Sequence, residues 1–189
     1  MDALAGHVAV VSQGGSERGG AIAAAIASHG ATVVLYDAEA ERTDAAAAKI
    51  RHGWGTTAIQ IGDPMASSQA AVVNDVVRTC GGLDALILLL DERGLAEDLI
   101  DAALPQITAR NQGLIVMVDP SGERPRIGKL EEALSAIRRR LGKETTSEIR
   151  CYGVASLPPG GDLGPAIAHL ALTRPDEELD GRVVVVPPV

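Results

Sequence analysis

The sequence predicts an α/β domain, a seven-stranded parallel sheet wound in both directions and covered on each side by helices to make three layers. Three observations carry that prediction. Short β-branched or leucine-rich runs alternate with helix-forming stretches along the whole chain, the pattern of a parallel sheet with right-handed crossovers. The run Leu86 to Leu90 is continuously apolar, as a strand buried on both faces must be. Gly6 to Asp37 reads as a complete β-α-β unit. It has an apolar run at Val8 to Val11, a turn punctuated by Gly14, Gly15, Gly19 and Gly20, helix formers from Ala21 to His29 ended by Gly30, and a second strand, Val33 to Tyr36, closed by Asp37.

The remaining elements follow in order. Ala40 to Ile50 predicts a helix, and the turn at Gly53 to Gly55 leads to a third strand near Thr57 to Ile61. Asp63-Pro64 is a helix-start signal, a carboxylate cap before a proline whose missing N–H costs nothing at the first helical position. That helix runs to about Thr79 and stops at Gly81-Gly82. Leu83 to Leu90 is strand four, Leu95 to Ala109 a short helix bent or divided by Pro105, and Leu114 to Val118 strand five. Leu130, Ala133, Leu134, Ile137 and Leu141 recur at helical spacing, so Lys129 to Leu141 is an amphipathic helix. Ile149 to Ala155 is strand six, Pro165 opens a helix through Leu172, and Val183 to Val186 is the closing strand.

At 189 residues the chain reads as one domain, 1–189, able to bury a core without disulfides or metals. The two cysteines, Cys80 and Cys151, are far apart and read as reduced, buried thiols of a cytoplasmic protein. No run is long enough to span a membrane, and the first strand starts at once, without a leader. A net charge of -8 argues against nucleic acid. So does an aromatic content of 2%, with no phenylalanine, which removes stacking platforms. His7, His29, His52 and His169 are scattered without ligand spacing, so no metal site is expected. No G-x-S-x-G elbow surrounds Ser12, Ser16 or Ser121. Arg138 to Arg140 reads as a solvated helix face with Glu144 as a weak partner. Trp54 is either a loop anchor or a packed core residue.

The β-α-β unit has the outline of a dinucleotide-binding fold, and the order of elements resembles the short-chain dehydrogenase/reductase family over nearly the whole chain. The stretches that carry the likeness are Gly19 to Val34, Ala58 to Pro64, Gly82 to Ile87, Gly113 to Val118, Ile149 to Ala155 and Asp180 to Val186. The resemblance implies a Rossmann-like sheet. It also implies where the family's chemistry would sit, and there the sequence departs from it. The family's turn T-G-x-x-x-G-x-G aligns without gaps to Ser12, Gln13, Gly14, Gly15, Ser16, Glu17, Arg18, Gly19, keeping only the last glycine. Glu17 would stand beside the pyrophosphate, and two like charges about 4 Å apart cost about 4 kcal/mol at an effective dielectric of 20. A register using Gly15 and Gly19, with Arg18 offsetting the charge, is the alternative.

Asp37 matches the acid that holds the adenosine ribose in NAD-dependent members, against the plainer reading of a cap or loop acid. Gln60 falls where the family has an acid near the adenine, and Leu88, Leu89, Leu90 and Asp91 replace its N-N-A-G run, filling the cofactor pocket with apolar bulk. Asp119 and Pro120 take the place of its serine, with Ser121 one position late. Ile127 and Glu131 take the places of its Y-x-x-x-K pair, which needs a phenol to donate a proton and an ammonium to lower its pKa. The only tyrosines, Tyr36 and Tyr152, fall in strands. The connections Asp91 to Gly113 and Ser156 to Gly164 are short where the family places a catalytic helix and a substrate lid.

The expectation is therefore a short-chain dehydrogenase/reductase homologue with no catalytic residues and no cofactor, with Gly19 and Asp37 as vestiges of a cofactor site. Its association surfaces, by the resemblance, are the helix stripe Leu130, Leu134, Ile137 and Leu141 and the closing strand through Val184 and Val186. The partner is an active paralogue, in acyl-CoA or ketoacyl metabolism by analogy, or a second copy of the chain. The alternatives are an atypical NAD-dependent oxidoreductase and a dinucleotide-sensing module.

Overall fold

The computed structural model describes residues 3–53, 57–61, 69–90, 97–110, 112–121, 124–142, 148–156, 162–173 and 180–187. Seven strands are formed: β1 (Val8–Ser12), β2 (Thr32–Asp37), β3 (Thr57–Ile61), β4 (Ala85–Leu89), β5 (Gln112–Asp119), β6 (Glu148–Ser156) and β7 (Val183–Val186). They make one sheet in the order β3-β2-β1-β4-β5-β6-β7, every pair parallel. The order reverses between β1 and β4, the switch point at which α/β sheets of this kind leave a crevice beyond their carboxyl ends.

Six helices complete the layers: α1 (Glu17–Ala27), α2 (Ala40–Gly53), α3 (Gln69–Cys80), α4 (Glu97–Ala109), α5 (Ile127–Leu141) and α6 (Leu163–Leu172). Residues alternate across each strand, so the two faces feed two cores. Val11, Leu35, Ile87, Val116 and Val154 pack under α1, α2 and α6. Val10, Leu86, Leu88, Ile115 and Met117 pack under α3, α4 and α5.

The strands and helices fall where the sequence predicts them, apart from their ends. Helix α1 begins at Glu17 and includes Gly19 and Gly20, which the sequence reading assigns to a turn. Ser16 caps it, its side chain accepting from the Gly19 N–H, and this satisfies an otherwise orphaned donor. Gly30 follows with φ 92°, a backbone state that favours glycine. Helix α6 likewise starts two residues before Pro165, because the Asp162 carboxylate accepts from the Gly164 N–H. Helix α4 runs unbroken through Pro105. The expectations for Trp54, Asp63-Pro64, Asp91 and Glu144 lie outside the described residues, as do the segments 91–96 and 157–161 within the two shortened connections.

Candidate functional site

At the switch point the first turn is held by its own neighbours. Gln13 has φ 51°, the one described non-glycine residue in the left-handed region. That is the position at which the gap-free alignment of the sequence puts a glycine. Its side-chain amide donates to the Leu89 carbonyl at 3.1 Å, and the Ser12 hydroxyl accepts from the Leu89 N–H at 2.9 Å. The carboxyl ends of β1 and β4 are thus stitched together across the crevice.

The turn's N–H groups are also engaged. Gly14 donates to the Tyr36 carbonyl, Ser16 to the Gln13 carbonyl and Gly20 to the Ser16 carbonyl. Gly15 donates to Asp37 at 3.0 Å. Asp37 is 5% exposed; its other oxygen accepts from the Glu39 N–H at 3.1 Å and lies 3.7 Å from Arg42. It is a strut between β2 and the turn, closer to the plainer reading of the acid. The glycines serve close packing. A Cβ on Gly14 would lie 2.8 Å from the Leu35 Cβ, one on Gly15 2.8 Å from the Thr43 hydroxyl, and one on Gly19 would run into the Gln13 carbonyl. Glu17 is exposed at the first position of α1, where a carboxylate suits the helix dipole.

At the ends of β4 and β5 the central residue is Asp119, its side chain fully buried. It accepts from Arg126 through Nη2 at 2.9 Å and Nε at 3.2 Å, and also from the Arg126 and Ser121 backbone N–H groups. Arg126 Nη2 reaches on to the Leu90 carbonyl at 3.3 Å. Burial pushes the Asp119 carboxyl up, but the hydrogen bonds from Arg126 and Ser121 outweigh it and hold the group below the usual carboxylate range. The pair ties the start of α5 to two strand ends. Ser121 is exposed and its hydroxyl donates to the Arg124 carbonyl at 3.3 Å. Among the described residues, the buried Ser156 hydroxyl at the end of β6 has no hydrogen-bond partner.

No family model matches the chain. Among solved structures it is similar to a metagenomic short-chain oxidoreductase in complex with NADP, at 21% identity over 99% of both chains with a TM-score of 0.78. It is similar to a hydroxysteroid dehydrogenase from Escherichia coli, at 18% identity over 98% of both chains with a TM-score of 0.79. A short-chain type dehydrogenase/reductase from Mycobacterium marinum matches at 15% identity over 97% of this chain and 94% of that one, with a TM-score of 0.77. The fold is that of the short-chain dehydrogenases and reductases. At these identities the likeness is one of fold.

Against the short-chain dehydrogenase/reductase pattern, Ile127 is the first residue of α5 and 36% exposed, while Glu131 and Lys129 are exposed on the same helix. Tyr36 and Tyr152 are each at most 1% exposed, on opposite faces of the sheet. Gln60 pairs in register with Tyr36. The leucines of strand four correct the expectation that they fill a cofactor pocket. Leu88 and Leu90 belong to the core under α3, α4 and α5, and Leu89 to the core under α1. Successive strand residues must point to opposite faces, so what the end of β4 presents at the crest is the Leu89 and Leu90 carbonyls, hydrogen-bonded to Gln13 and Arg126, and not leucine side chains.

The helix stripe is corrected as well. Leu130, Leu134 and Ile137 are each at most 1% exposed within the chain's own core, and Leu141 is partly buried against it. The outer face of α5 carries Glu131, Glu132, Ser135, Arg138, Arg139 and Arg140, all exposed. Arg140 pairs with Glu97 at 3.1 Å and Asp101 at 3.3 Å. Val184 and Val186 are partly exposed on β7, whose outer edge has no neighbouring strand among the described residues.

Among the described residues no group of three His, Cys, Asp or Glu side chains is placed to share a metal ion, and no helix is long and apolar enough to cross a membrane. Cys80 and Cys151 are both free thiols.

Proposed function

We propose that this chain is a non-catalytic member of the short-chain dehydrogenase/reductase family and acts in the cytoplasm as the structural subunit of an oxidoreductase complex with an active paralogue. The observation that carries the reading is the crest at the switch point, where the groups a dinucleotide would need are held by the chain's own side chains. The Gly15 N–H goes to Asp37, the Leu89 carbonyl to Gln13 and the Leu90 carbonyl to Arg126. Displacing them for a ligand leaves buried polar groups to be satisfied again, about 1–3 kcal/mol each. The described residues do not fit NAD or NADP, and Ile127 and Glu131 stand at the positions that the resemblance gives to a phenol and an ammonium.

The sheet and helices of the scaffold, by contrast, are formed, and among the described residues the exposed large apolar ones are Ile127, Leu172 and Val185. Two of these three belong to the closing α6–β7 unit, which supports that edge as the surface of association. The test is twofold: calorimetric titration with NADH and NADPH, and light scattering of the chain alone and co-expressed with an active family member from the same genome. No dinucleotide binding together with a mixed complex is the expected result. Micromolar binding would restore the oxidoreductase or sensor reading, and a homo-oligomer indifferent to the paralogue would remove the partner.

A further inference from the structure

The sheet has a second opening, at the end opposite the switch point. A cavity of about 180 Å³ lies there, between the sheet and helices α1 and α6. Part of its wall is a single rung of the sheet. Ala9, Ala85, Leu114 and Arg150 are register partners in turn across β1, β4, β5 and β6. Two methyl groups occupy positions where the rung two residues on carries Val11, Ile87, Val116 and Tyr152. Ala31 and Ala171 are equally short on the remaining wall, so the helices rest above a space that no described side chain fills. Most of the wall is apolar and buried, Ala9, Ile26, Ala31, Ile87 and Leu114 being each at most 3% exposed, while His7, Asp84, Gln112 and Arg150 supply its polar part.

One cation faces this space. Arg150 uses Nη1 alone, donating to the Leu170 carbonyl at 2.8 Å and to the Thr173 carbonyl at the end of α6. Its Nε and Nη2 have no partner among the described residues, and no acid there pairs with it. The one carboxylate on the cavity wall, Asp84, accepts from the Val8 N–H and is paired with Arg110. An apolar chamber with an unspent guanidinium edge is matched by a ligand with an apolar body and one anionic end. Apolar cavities of about 150 Å³ hold a benzene ring, and the Nε–Nη2 edge of arginine binds a carboxylate through two parallel hydrogen bonds.

We propose that this cavity binds a small monocarboxylate whose apolar group is about the size of a benzene ring, with its carboxylate on Arg150. Benzoate is the probe, with benzene and benzylamine as neutral and cationic comparators, each followed by ligand-observed NMR and thermal shift on the whole chain. Benzoate is expected to bind about tenfold or more tighter than benzene, the value of a charge-assisted hydrogen bond, and benzylamine not at all. Ala85→Leu, which fills the chamber, is expected to abolish binding of both ring ligands without lowering the melting temperature. Arg150→Gln, which keeps an amide for the α6 carbonyls, is expected to remove the preference for benzoate over benzene. No benzoate binding at millimolar concentration overturns the proposal. So does benzylamine binding as tightly as benzoate, or benzoate binding that survives Ala85→Leu. The comparison of ligands on the wild-type chain decides the charge preference even if Arg150→Gln does not fold.

Discussion

Arg126 Nη2 lies 2.9 Å from Asp119 Oδ1 and 3.3 Å from the Leu90 carbonyl, so one guanidinium joins the ends of two strands to the start of a helix. Asp119 is fully buried in this pair, whereas the Arg126 side chain keeps 25% of its surface. Removing the cation strands a carboxylate out of water, which costs about 3–5 kcal/mol for fully buried pairs and less here. Arg126→Ala is expected to lower stability by about 2–3 kcal/mol in urea unfolding. Asp119→Leu with Arg126→Met should recover most of that loss, as a double-mutant cycle will show.

The same pair sets a pH dependence. The folded-state pKa of Asp119 lies below its unfolded value, so its contribution is complete above that unfolded value. It is lost as pH falls from about 4 through the folded value. The wild-type unfolding free energy is expected to fall more steeply below about pH 4 than that of Asp119→Asn, measured by urea titration at a series of pH values.

Gln13 combines a strained backbone with a useful side chain. Its φ of 51° costs about 1–2 kcal/mol for a residue with a Cβ, and its hydrogen bond to Leu89 returns about 1 kcal/mol. Gln13→Ala keeps the strain and loses the bond, for an expected loss of about 1 kcal/mol. Gln13→Gly loses both, so it should stay near wild type and above the alanine variant in melting temperature. Dinucleotide binding is not expected to return with it, because the Gly15 N–H still belongs to Asp37.

Two adjacent glycines of α1 should behave oppositely. A Cβ at Gly20 meets nothing nearer than 3.6 Å, so Gly20→Ala is expected to gain about 0.5–1 kcal/mol from helix propensity. At Gly19 the Cβ would collide with the Gln13 carbonyl. Gly19→Ala is expected to lose about 1–3 kcal/mol, the range of overpacking. Thermal melts of the two variants check the pair.

Leu134 and Val185 separate the core from the proposed contact surface. Leu134 is 1% exposed and Val185 38%. Leu134→Ala is expected to cost about 2–5 kcal/mol with the assembly unchanged where the variant is folded. Val185→Lys should leave stability within about 0.5 kcal/mol and weaken association, read by light scattering with and without the paralogue.

Burial, with Asp180 adding to it, pushes the Cys151 thiol up to about 12, so almost no thiolate exists at neutral pH. Cys151 is expected to react with a disulfide reagent only on unfolding, whereas the partly exposed Cys80 reacts slowly in the native protein. Thiol titration with and without denaturant distinguishes them.

The fold is readable from the chain because its signals are local. Continuous apolar runs mark doubly covered strands, and helical spacing marks α5. Those signals stop at pairings across space. The recurrence of Leu130, Leu134 and Ile137 says that one face is buried but not against what, and the sheet takes it. Gly19 and Gly20 look like breakers until Ser16 is seen to cap the helix that contains them. That Ile127 and Glu131 stand where the resemblance would place a tyrosine and a lysine is visible in the sequence. Arg126 is not, because nothing in a seven-residue separation tells that a loop will fold its guanidinium onto Asp119. The clue available was Asp119 itself, a charge at the end of an apolar run, which demands a partner.

The glutamine at the head of the first turn has one more consequence. Its main chain takes a route that suits a residue with no side chain. An engineer wishing to open the crest would begin with the side chains at Gln13, Asp37 and Arg126.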